Sequence, residues 1–171
     1  MTPEPRWQQA ASLAARAHAT QTRKDGCTPY IAHPMRVALT VATRFGCADD
    51  HVLCVALLHD VIEDTTLDYD DVAGAVGAAI ADDVASLTKD MRLPEAEREA
   101  AYDAGLASAS WAARLVKLAD VYDNLHDAWS SESRQRAINK ARRAIGLAAG
   151  EPRLDAARAL VEALLDRTVG T

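Results

Sequence analysis

Val52-Leu53-Cys54-Val55-Ala56-Leu57-Leu58 runs directly into His59-Asp60-Val61-Ile62-Glu63-Asp64. The first seven residues are apolar almost all round, which marks a helix buried on most sides rather than a surface amphipathic one. A helix of that kind needs other elements around it, and the rest of the chain supplies them. Apolar residues recur at three-and-four spacing in nearly every segment, punctuated by Gly, Pro or Asp/Thr clusters. The expected helices cover about 5–19, 34–45, 50–63, 68–76, 78–88, 94–107, 110–128, 132–148 and 153–167. No segment reads as a strand.

Composition points the same way. Of the 171 residues 49% are hydrophobic but only 5% aromatic, and the abundant Ala and Leu are the residues that lose least in a helix. The expected fold is all-α, a compact helical bundle forming one domain over 1–171. Its motif-bearing core lies at about 10–128 and further C-terminal helices at about 132–167. A second catalytic domain beside it is not expected.

The formal charge of −6 argues against a general nucleic-acid binder, which needs a broad basic surface. Charge-free stretches such as Val72 to Ala81 are too short to span a bilayer, and the opening residues lack an apolar signal core. No membrane partner is expected, and the cytoplasm is the expected compartment. Cys27, Cys47 and Cys54 are odd in number and lack C-x-x-C spacing, so they read as reduced thiols without assigned chemistry.

The polar end of the opening stretch places an imidazole and three carboxylates at the edge of a hydrophobic core. Charges removed from water need a partner or a metal, so a bound cation would account for the cluster. In one continuous helix His59 with Glu63, and Asp60 with Asp64, share a face at four-residue spacing. Taken alone, His-Asp is more often a packed histidine beside a solvated helix end. A second element, Trp111 to Trp129, carries Leu115, Leu118, Tyr122, Leu125 and Trp129 on one stripe and Lys117, Asp120, Asn124 and Asp127 on another. A third, Arg23-Lys24-Asp25-Gly26-Cys27-Thr28-Pro29-Tyr30-Ile31-Ala32-His33-Pro34, is a loop that Gly and Pro keep out of helices until Pro34 starts the next one. Adjacent Arg23 and Lys24 suit a clustered phosphate ligand, the Arg as a planar fork and the Lys as a point charge. The later basic residues Arg134, Arg136, Lys140, Arg142 and Arg143 read as a solvated face.

In this order and spacing, Arg23-Lys24-Asp25, Pro29-Tyr30-Ile31 with His33-Pro34, Ala56-Leu57-Leu58-His59-Asp60 through Thr65, Leu87-Thr88-Lys89-Asp90 with Leu93-Pro94, and Val116-Lys117-Leu118-Ala119-Asp120 with Asn124-Leu125 resemble the HD hydrolase domain of the RelA/SpoT alarmone enzymes. The resemblance is to their short metazoan-type homologues and to the bacterial small alarmone hydrolases. It implies His33, His59, Asp60 and Asp120 as ligands of one divalent metal, usually Mn²⁺ in the family, and Glu63 and Asp64 as the catalytic carboxylates. Arg23, Lys24, Asn124 and Lys117 are the implied substrate contacts.

The implied reaction is removal of pyrophosphate from the 3′ position of (p)ppGpp, a small nucleotide of the stringent response. Neighbouring readings are HD hydrolysis of (p)ppApp or NADP(H), or a nucleotide-binding module without turnover. Two positions depart from the family: Val121 and Asp123 stand where many members carry Arg and His. Asp127 is a weak site candidate, and a structural role is expected for His18.

Overall fold

The computed structural model describes residues 5–128 and 130–170. Ten α-helices are found among them: α1 (Arg6–Ala17), α2 (Ala32–Thr43), α3 (Asp50–Leu58), α4 (Val61–Asp64), α5 (Tyr69–Val76), α6 (Ala78–Ser86), α7 (Glu95–Ser108), α8 (Trp111–His126), α9 (Ser131–Ala148) and α10 (Asp155–Val169), with a 3₁₀ turn at Pro152–Leu154 before the last. The only β pairing among the described residues is an isolated bridge between Thr22 and Pro29. Trp129, assigned above to the apolar stripe, lies outside the described residues.

The apolar run forms the centre as expected. In α3 the residues Val52, Cys54, Val55, Ala56, Leu57 and Leu58 are all buried, and the helix packs on α1, α2, α6 and α8. Each fully buried Val or Leu contributes roughly 1.5–3 kcal/mol by leaving water. The second pillar is α8, which packs on α2, α3, α9 and α10 and buries Leu115, Val116, Leu118, Ala119, Val121, Tyr122 and Leu125. Side-chain caps fix where these helices begin. Asp49 accepts from the His51 and Val52 amides ahead of α3, and Ser110 accepts from Ala113 ahead of α8. Ser130 and Ser133 form a reciprocal capping box at α9.

Two boundaries differ from expectation. The helix expected over 50–63 ends at Leu58, turns at His59 and Asp60, and resumes as α4. The His59 imidazole supplies the reason: its Nδ1 lies 2.8 Å from the Ala56 carbonyl, the oxygen that the Asp60 amide would take in an unbroken helix. Helix α2 begins at Ala32, before Pro34. A proline in the first turn lacks only an N–H that has no partner there anyway, so His33 sits inside the helix and is held by its geometry.

Candidate metal and phosphate cleft

All the residues that the resemblance assigned to metal, catalysis and substrate line one cleft of about 390 Å³, alongside Tyr30, Lys89, Tyr102 and Lys140. Its floor is the turn after α3 and the start of α2. His33 and His59 are 2% and 3% exposed, with ring centroids 5.1 Å apart. A ligand atom from each of His33, His59 and Asp60 lies within 4.8 Å of the other two. Asp120 approaches from α8, with Oδ1 3.3 Å from His33 Nε2. Both of its oxygens are held from its own helix: Lys117 Nζ lies 2.8 Å from Oδ2 and Asn124 Nδ2 2.5 Å from Oδ1.

The hydrogen bonds fix which tautomer each neutral imidazole adopts. A carbonyl only accepts, so His59 Nδ1 donates to Ala56 and its neutral ring keeps a lone pair on Nε2. His33 Nδ1 likewise donates to the Asp123 carboxylate at 2.7 Å. Its Nε2 lone pair then faces Asp60 Oδ2 at 3.5 Å and Asp120 Oδ1 at 3.3 Å. His59 Nε2 is buried with no hydrogen-bond partner, and Asp60 Oδ2 lies 3.0 Å from it. Two lone pairs aimed at two carboxylates repel unless a positive charge lies between them. This donor set therefore fits a divalent cation, and its mixture of imidazole nitrogen and carboxylate oxygen suits Mn²⁺, Fe²⁺ or Zn²⁺.

Burial opposes a charge on His33, yet hydrogen bonds to Asp120 and Asp123 raise its pKa to about 9. Burial also opposes the charge of Asp120, but the Lys117 ammonium and the His33 imidazole hold its carboxyl well below the usual range. Asp60 is held low by His59 against the same opposition from burial.

The two remaining carboxylates move the other way. Glu63 accepts from the Lys89 backbone amide at 2.8 Å, yet burial and the charges of Asp60 and Asp64 push its pKa up. Burial and Asp60 also raise Asp64. The Tyr30 hydroxyl lies 2.7 Å from Asp60 Oδ2 and 3.0 Å from Asp64 Oδ2, bridging the two groups.

Above this floor is the basic loop. Asp25 accepts from the amides of Cys27 and Thr28, and Gly26 takes a φ of 74° that a side chain would strain. Arg23 Nε donates to Asp127 Oδ2 at 2.9 Å, and its guanidinium lies 5.5 Å from the Tyr30 ring centre. Lys24 and Lys140 line the cleft and a smaller adjoining hollow of about 100 Å³.

Several contributors went unassigned in the sequence. Tyr30 lay within a quoted motif without a role. Lys140 was counted in a solvated run, whereas the packing of α9 on α8 brings it to the cleft. Another member of that run, Arg143, pairs with Glu99 and Asp103. Asp127 anchors Arg23, and Asp123 is 6% exposed and bonded to His33. His18 is buried and stacks 4.7 Å from Tyr30. Through Gln21 it also supports the Asp64 backbone carbonyl.

Comparison with known proteins places this geometry. The HD domain family matches residues 10–145. The guanosine-3′,5′-bis(diphosphate) 3′-pyrophosphohydrolase MESH1 of Homo sapiens is 43% identical over 120 residues, 70% of this chain and 67% of that protein. The MESH1 of Drosophila melanogaster is 34% identical over 142 residues, 78% of this chain and 79% of the other. A solved structure described as a metazoan ortholog of SpoT that hydrolyzes ppGpp superposes with a TM-score of 0.82 at 30% identity, covering 99% of this chain and 97% of its own. By its helical architecture, the order of its motifs and these likenesses, the chain belongs to the HD-domain family.

Proposed function

We infer that the chain is a metal-dependent guanosine-3′,5′-bis(diphosphate) 3′-pyrophosphohydrolase, converting (p)ppGpp to GDP or GTP and pyrophosphate. One observation carries the reading: two buried imidazoles, two carboxylates held low, two raised carboxyls and a basic rim share one cleft in a chain so similar to enzymes of that name. His33, His59, Asp60 and Asp120 would hold the ion, for which we take Mn²⁺. A divalent ion bound there lowers the pKa of water and polarises a phosphoryl oxygen.

Hydrolysis breaks the bond between the ribose 3′-oxygen and its phosphorus. The oxygen of water ends on pyrophosphate and a proton ends on the 3′-oxygen. Glu63 and Asp64 are the groups that take and return these protons. Burial raises both from their ordinary values, toward the neutral pH at which a proton carrier is most effective. The Lys89 amide holds Glu63 and the Tyr30 hydroxyl holds Asp64, so neither has to be found by rotation when substrate arrives.

Arg23, Lys24, Lys117 and Asn124, joined by Lys140, face the cleft and offer donors to a clustered phosphate that an acidic protein would otherwise repel. The test is incubation with Mn²⁺ and, separately, the 3′-pyrophosphates of guanosine and adenosine nucleotides, NADPH and simple deoxynucleotides, with products resolved by chromatography. Release of pyrophosphate from (p)ppGpp, abolished by chelation, is expected. Preferred turnover of the adenosine compound or of NADPH would replace the substrate, and turnover of none would leave a binding module.

A further inference from the structure

His33 is the one proposed ligand whose second nitrogen meets a charged side chain. Its Nδ1 donates to Asp123 Oδ2 at 2.7 Å, and both residues are almost fully buried. The carboxylate is not free to turn. Arg36 grips it with a two-pronged contact, Nε to Oδ1 at 2.6 Å and Nη2 to Oδ2 at 2.9 Å. Arg36 in turn reaches Asp127 at 3.4 Å, and Asp127 takes the guanidinium of Arg23 at the mouth of the cleft. His59, by contrast, rests its Nδ1 on a neutral backbone carbonyl. The two imidazoles are thus backed unequally, one by a fixed dipole and the other by a fixed charge.

We propose that Asp123 is a positioning residue of the metal site: clamped by Arg36, it orients the His33 ring, commits its hydrogen to Nδ1 and strengthens Nε2 as a ligand. The physical basis is general. A carboxylate behind a ligating imidazole fixes its tautomer and raises its donor strength, and losing such a partner typically lowers metal affinity by roughly 10- to 100-fold. Three geometric features support the assignment. The donor–acceptor distance is short, both partners are buried, and the Arg36 fork leaves the carboxylate one orientation. A carboxylate buried only to anchor Arg36 would have no need of His33, and a histidine placed only for packing would not aim its other nitrogen at Asp60 and Asp120.

The proposal rests on His33 being a metal ligand, and its test separates the two ideas. Metal-depleted full-length protein is titrated with Mn²⁺ by calorimetry in the wild type and in the Asp123→Ala, Asp123→Asn, Arg36→Gln and His33→Ala variants, with thermal melts of each metal-free form. The melts read any structural role, whereas the Mn²⁺ affinity of the folded protein reads positioning. Asp123→Ala should weaken Mn²⁺ roughly 10- to 100-fold. Asp123→Asn, which keeps an acceptor of the same shape without the charge, should fall between it and the wild type. Arg36→Gln should lose less than Asp123→Ala. In the Co²⁺-loaded proteins the visible absorption should change in Asp123→Ala, because the ring is no longer held.

Mn²⁺ affinity within about two-fold of wild type in both Asp123 variants, with binding lost in His33→Ala, would overturn the positioning role and keep the ligand. Wild-type affinity in His33→Ala would overturn the ligand assignment beneath it. If Asp123→Ala does not fold, the near-isosteric Asp123→Asn decides: unchanged affinity rejects the proposal and weakened affinity supports it.

Discussion

Helices α3 and α8 both feed the cleft, and they do so in opposite ways. Helix α3 spends most of its length on the core and delivers His59 and Asp60 only after its ladder has ended. Helix α8 delivers Asp120 from mid-helix, with Lys117 one turn before and Asn124 one turn after, while its other faces bury Leu115, Leu118 and Leu125. One helix separates packing from chemistry along the chain; the other separates them around its axis. A terminus can turn polar groups through a break and so bring two adjacent side chains, His59 and Asp60, to one point of the cleft. A helix interior cannot, but it can support a single carboxylate from both sides at a spacing set by the 3.6-residue period.

The largest effect expected from testing this contrast is loss of the ion itself. His59→Ala at the terminus and Asp120→Ala in the helix interior should each bring turnover to background and lower metal content, measured by elemental analysis beside the assay. If Asp120→Ala kept full activity without metal, α8 would be only a scaffold. Next, Glu63→Gln and Asp64→Asn change α4, the continuation of α3 beyond its break. They preserve shape and remove the titrating oxygen, so turnover should drop by roughly 10² to 10⁴ while metal stoichiometry and fold persist. Metal lost along with turnover would move these residues into the ligand shell.

The packing halves of the two helices can be probed separately. Leu58→Ala and Leu118→Ala each truncate a fully buried side chain, and each should destabilise by about 2–5 kcal/mol in denaturant unfolding. A loss under 1 kcal/mol, the range of surface substitutions, would mean that the core is not organised around both pillars.

Smaller still is the effect expected at the rim. Arg23→Ala removes a charged donor, worth roughly 1.5–3 kcal/mol to a charged partner, and should raise KM with little change in kcat if the contact is equal in ground and transition states. An unchanged kcat/KM would take the loop out of substrate binding.

The smallest effect concerns Glu99 on α7, which holds Lys89 and Arg143 and so steadies the segment whose amide fixes Glu63. Burial opposes the charge of Glu99, but its hydrogen bonds from Lys89 and Arg143 prevail and lower its pKa. A lowered carboxyl pKa gives stability that is present above the unfolded-state value near 4.3 and is lost as pH falls through the folded-state value. Glu99→Gln should therefore destabilise by up to about 1 kcal/mol at pH 7, with the difference fading in melts taken through the acid range. A difference that persisted below that range would make it a packing effect.

The two helices also differ in how far their sequences disclose them. The α8 stripes were legible because period and polarity coincide: Lys117, Asp120 and Asn124 announce a face, and Leu115 and Leu118 the opposite one. The buried character of α3 was equally plain. Its end was not, because Leu57-Leu58-His59-Asp60-Val61-Ile62 contains no Gly or Pro to stop a helix, and the break depends on where an imidazole finds an acceptor. Contacts distant along the chain were less legible still. Arg23 meets Asp127 across 104 positions and Asp123 meets Arg36 across 87, and no local pattern reports such pairings. Lys140 was missed for a related reason, since its place follows from how α9 lies on α8 and not from its own helix.

The grip on Asp120 has one further consequence. With Lys117 on one carboxylate oxygen and Asn124 on the other, this group is set before any ion arrives, and His33 and His59 are set in the same way through their Nδ1 atoms. In the terms of host–guest chemistry, the cleft is closer to a macrocycle than to an open-chain chelator. An ion bound there would find its side chains already aimed, with little ordering left to do.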